Sequence, residues 1–142
     1  MKLARNIAGA VVGAVLIAMA ACATTTTTAT RPSGLSDSAA KLDMGSRALA
    51  ARSDSVGPPY QQDAHELARR AYDFHSMVNT ATVSNEDVKS QFELVSQTYH
   101  KLRADVDHAG TQQAHSDLQP VTAAYRSVEH DMGVTPAAGT GD

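Results

Sequence analysis

The strongest constraint on the fold of this chain is an apolar series at Val88, Phe92, Val95, Tyr99, Leu102, Val106 and Ala109. Steps of four and three place all seven on one stripe of an α-helix, whereas the two-residue period of a strand would scatter them over both faces. The start of this helix is marked as well. Ser84 is placed to cap it, Asp87 occupies the third helical position as in a capping box, and Val83 can staple onto Val88. Gly110 supplies a stop.

The flanking segments repeat the pattern. Before it, Tyr60, Ala64, Leu67, Ala71, Phe74 and Val78 form a stripe behind the breaker Gly57-Pro58-Pro59, and Glu66 with Arg70 makes an i,i+4 pair on its outer side. After it come Ala114, Leu118, Val121, Tyr125, Val128 and Met132. Pro120 interrupts this last stripe, which predicts a kinked helix or a start near Ser116. A first helix from Ser36 to about Asp54 has the sparsest stripe: Leu35, Ala39, Leu42 and Leu49. Gly45 sits in its middle, and Asp37–Lys41 and Asp43–Arg47 pairs support it. Four such segments with short connections predict an all-α antiparallel bundle over residues 35–132. The residues expected in its core are Leu67, Phe74, Val88, Phe92, Val95, Leu102, Leu118, Val121 and Val128. Only 4% of the chain is aromatic and Trp is absent, which suits packed helices better than a β-sandwich. The same stripes would also serve for burial against a second copy, so a homodimer is an open alternative. The small polar tail, residues 133–142, is expected to be disordered.

The N-terminal end has a different composition. Lys2 and Arg5 form a short positive region, residues 6–30 carry no charge, and residues 7–21 are apolar. A spanning helix needs about 20 apolar residues, so this run fits the hydrophobic region of a secretion signal better than a stable span. The segment Met19-Ala20-Ala21-Cys22 resembles the lipobox of bacterial lipoproteins, with Met19 where Leu is commonest. The resemblance implies a signal peptide at residues 1–21 and a Cys22 thiol joined to diacylglycerol. It further implies an acylated new N-terminus and, with Ala23 rather than Asp after the cysteine, the outer membrane of the envelope as the address. Several acyl chains on one residue would meet the requirement for stable attachment to membrane lipid. Ala18-Met19-Ala20 also fits the small-x-small site of an ordinary secretory signal. Cys22 is the only cysteine, so no intrachain disulfide can form. Residues 22–34 are Thr-rich, nearly uncharged and without apolar period, which predicts a flexible tether.

These features bound the function. The formal charge is −3; without Lys2 and Arg5 the remainder carries ten basic and 15 acidic residues, −5, with no basic run. Nucleic acid is thereby a poor partner, since its phosphates demand clustered Lys and Arg. Six histidines, His65, His75, His100, His108, His115 and His130, are many for this length. None forms His-x-x-x-His or Glu-x-x-His, and Asp105 with His108 is the one His–carboxylate pair at three-residue spacing. The histidines are therefore expected on helix flanks, with no metal site. No Gly-rich phosphate loop, Gly-x-Ser-x-Gly or His-Glu-x-x-His occurs, which argues against an enzyme. The layout of the last two helices, with Phe92, Gly110 and Ala124-Tyr125, is similar to that of the cytochrome b562 family. That similarity implies haem held by a Met and a His, for which Met44 and His130 are the nearest candidates. Arg126 stands where the pattern would place the His. The leading expectation is a non-enzymatic, membrane-anchored envelope lipoprotein without cofactor, presenting its bundle to an envelope protein or to itself. The alternative is a periplasmic carrier of metal, haem or an apolar molecule within the bundle.

Overall fold

The structure is a computed structural model that describes residues 31–134. Cys22, the signal segment and most of the expected tether and tail lie outside the described residues. Four α-helices follow in order: α1 Leu35–Arg52, α2 Tyr60–Val78, α3 Asn85–Ala109 and α4 Gln112–Asp131. A 3-10 turn, Ser53–Ser55, closes α1. Helix α1 packs intimately on both α2 and α4, α2 packs on α3, and α3 and α4 meet more loosely. This is the all-α bundle expected from the stripes. None of the described helices is long and apolar enough to cross a membrane.

The helix ends follow from local chemistry. The Ser84 hydroxyl accepts the Asp87 N–H at 3.1 Å and donates to the Asp87 carboxylate at 2.7 Å, fixing the first turn of α3. Gly110 ends that helix in the left-handed region at φ 61°. Thr111 then caps α4 by accepting from the Ala114 N–H, so α4 begins at Gln112 rather than near Ser116 and runs through Pro120. At its other end Gly133 and Val134, expected in the tail, close the helix. The Val134 N–H reaches the Glu129 carbonyl and the Gly133 N–H reaches that of His130, both at 3.0 Å, which is a Schellman cap.

All nine residues expected in the core are buried. Ala109, the last of the long stripe, is instead exposed: α3 ends there, beyond the bundle's cover. Helix α1, the weakest by sequence, holds a central position. Its contact surface alternates Leu35, Leu42 and Leu49 with Ser38, Ala39, Ser46 and Ala50, all buried. Small side chains bring its backbone close to both neighbours. Gly45 lies against Val121, whose Cγ2 would stand 3.6 Å from an added Cβ. Asp43 and Arg47 form the expected pair at 2.7 Å, as do Glu66 and Arg70. Asp37 and Lys41 form no ion pair; Lys41 instead lends its charge to Asp131 of α4.

Where α3 faces α4, aromatic rings fill the wider gap. Tyr99 and Tyr125 stack with centroids 4.1 Å apart, and Phe92 stacks on Tyr125 at 5.6 Å. Each hydroxyl finds a partner: Tyr99 donates to Thr122 at 2.9 Å, and Tyr125 shares a bond of 2.7 Å with Ser96. The pair is therefore satisfied packing.

Candidate functional site

Both ends of the bundle differ from its middle. One end gathers the start of α1, the α2–α3 connection and the end of α4. Here Arg31 reaches back from the segment before α1, and its guanidinium donates to the carbonyls of Val78, Thr80 at 3.0 Å and Val83 at 2.6 Å. The last carbonyls of a helix have no intrahelical donor, so a cation there satisfies them and complements the helix dipole. Ser36 donates to Asn79 at 2.6 Å, and Ser38 donates to Asp131 at 2.6 Å. The Ser38 bond, then that from His130, holds the Asp131 carboxyl below its usual range. Residues 31–34, expected to belong to the flexible tether, are thus fixed to the bundle. Arg31 is what recruits them.

The other end, about 28 Å away along α2, is formed by the α1–α2 and α3–α4 connections. Between them opens a cleft of about 580 Å³, walled by Val56, Pro58, Pro59, Tyr60 and Ala109, with Asp105, His108, Thr111 and Gln113 among its polar groups. That volume falls in the range of small-molecule sites. Tyr60 is 2% exposed, and its hydroxyl has no hydrogen-bond partner in the protein. Burial, then the nearby Asp117 charge, pushes this phenol above its ordinary range.

Beneath the cleft lies a carboxyl pair that joins α2 to α3. Asp63 is 6% exposed and receives the Lys101 ammonium at 2.8 Å on one oxygen. Its other oxygen, and one oxygen of Asp105, are buried without a donor. The Asp105 side chain lies within reach of the Asp63 carboxylate. That contact with Asp63, then burial, raises the Asp105 carboxyl above its ordinary range, against the opposing charges of Lys101 and His108. Nothing in the spacing along either helix announces this pair, because its members stand on different helices. The available signal was Asp63 itself, a carboxylate three residues after Tyr60 and four before Leu67, on the inner face of its helix.

The histidines do not converge. His75 is half-buried, with Nδ1 at 3.3 Å from Asp43. His100 sets its ring edge against Tyr99 and Tyr125. His65, His115 and His130 are exposed beside Asp54, Asp107 and Asp131, and His108 lines the cleft. Among the described residues no three His, Cys, Asp or Glu side chains gather as metal ligands. Met44, one candidate for a haem iron, is 71% exposed, and His130, the other, also faces solvent; neither enters the core where a bundle would seat the group. No protein-family model, characterised protein or solved structure matches this chain.

Proposed function

We propose that this chain is a non-enzymatic lipoprotein of the bacterial envelope, held in membrane lipid by acylated Cys22, most simply in the outer membrane, and presenting its bundle to an envelope protein. The lipobox-type segment supports the address. The observation that carries the mode of presentation is the grip of Arg31 on the α2–α3 end. With the chain entering there, the nine residues from Cys22 to Thr30 are the span between lipid and bundle. Extended, they reach about 30 Å. The opposite end, with its cleft, then points away from the membrane, and the anchor raises the local concentration of that end for partners in the envelope.

Cys22→Ser tests the reading. The parent is expected to stay with membranes after a high-salt wash and to release, on mass analysis, residues 22–142 carrying acyl chains. The variant is expected in the soluble fraction or as uncleaved precursor. Full-length, unacylated parent protein in membranes would point to an uncleaved signal anchor and refute the reading.

A further inference from the structure

We propose that the cleft between the α1–α2 and α3–α4 connections binds a small organic ammonium: a protonated amine on an apolar body. The wall made by Val56, Pro58, Pro59, Ala109 and the Tyr60 ring suits a hydrocarbon or aromatic body. Asp105 and Tyr60 both line this cleft, and one buried oxygen of each, the Tyr60 hydroxyl among them, has no hydrogen-bond partner in the protein. An unpaired buried hydroxyl is costly, and a ligand N–H can donate to its oxygen.

The charges select the ligand's sign. Lys101 is engaged by Asp63 and Arg52 by Asp117, so neither is free to receive an anion. Asp54 and Asp105 at this end have no lysine or arginine paired with them among the described residues. A metal ion is a poor fit, because Asp63 already holds an ammonium and no third ligand joins the two carboxylates among the described residues. An ammonium at Asp105 competes with protonation of that carboxyl, which its neighbour Asp63 favours. Asp63, Lys101 and His108 are the charged or titratable groups facing Asp105. Affinity is therefore expected to fall as pH falls through the raised range of Asp105, where that carboxyl takes up a proton.

The test uses the isotope-labelled full chain in non-ionic detergent, titrated with benzylammonium and, separately, with benzyl alcohol as its uncharged counterpart. Benzylammonium is expected to shift the amide resonances of Gly57, His108, Ala109 and Thr111 saturably, and benzyl alcohol is not. Asp105→Asn, which can still donate to Asp63, is expected to weaken binding about tenfold, the loss of one charge-assisted hydrogen bond. Tyr60→Phe keeps the ring and is expected to weaken binding severalfold; it decides the matter if the asparagine variant does not fold. Equal shifts from the alcohol, shifts centred elsewhere, or undiminished binding by the folded variants would overturn the proposal. Because the titration does not depend on acylation, its failure is distinguishable from failure of the lipoprotein reading.

Discussion

Tyr125 shows how much one side chain in this bundle has to satisfy. Its ring stacks on both Phe92 and Tyr99, its hydroxyl bonds Ser96, and burial pushes its phenol up to about 12, with Glu129 adding to the rise. An unfolded phenol ionises near 10.0, so between that value and about 12 unfolding releases a proton and stability falls as pH rises. Tyr125→Phe should flatten this alkaline loss and cost about 1 kcal/mol at neutral pH for the missing hydrogen bond. Urea midpoints measured across the window check both statements. Phe92 is buried between Phe74 and Tyr125, and Phe92→Ala should cost about 3–5 kcal/mol in the same assay. A variant that unfolded at the parent's midpoint would remove Phe92 from the core. At this scale the apolar positions were legible in the sequence, because helical spacing alone decides which way a side chain faces. The partners of polar groups were not. Asp63 meets Asp105, and Tyr60 opens on the cleft, only once the register between helices is set.

Among the elements, α1 shows why a weak stripe need not mean a peripheral helix. Hydrophobicity measures how much surface a residue can bury, whereas the distance between two helix axes depends on how little side chain lies between them. Ser38, Ser46 and Gly45 lower the first quantity and reduce the second. Gly45 and Pro120 were separate irregularities in the sequence. In the bundle they belong to one crossing, since Gly45 rests against the backbone and side chain of Val121, the residue after Pro120. Every atom near an added Cβ stands at 3.6 Å or more, so the site has room for a methyl group. Gly45→Ala is therefore expected to stabilise the protein by about 0.5–1 kcal/mol through the helix preference of Ala, read as a higher thermal midpoint. A lower midpoint would mean that α1 and α4 must approach closer than alanine permits. Helix α4 was legible as a stripe through Pro120 but not in its first turn, which Thr111 caps and which has no apolar residue before Ala114.

For the whole molecule, the stripes predicted the four-helix bundle, and the bundle formed. The order of intimacy among its helices was hidden, as was the cleft, which arises from two connections distant in the chain. The boundary of the folded part was also hidden, because Arg31 is attached by hydrogen bonds to carbonyls 47 to 52 residues away. Arg31→Ala should raise hydrogen exchange and protease cutting across residues 78–83 while costing about 1–2 kcal/mol overall. Unchanged exchange there would show that the connection holds its shape without the guanidinium. The same attachment has a mechanical side. A pull on the N-terminal segment first loads the carbonyls at the end of α2, so force enters at the corner between α2 and α3. Helix α1, fastened along two seams, is spared from being peeled away one turn at a time, and the first thing to give under tension is a side chain rather than the fold.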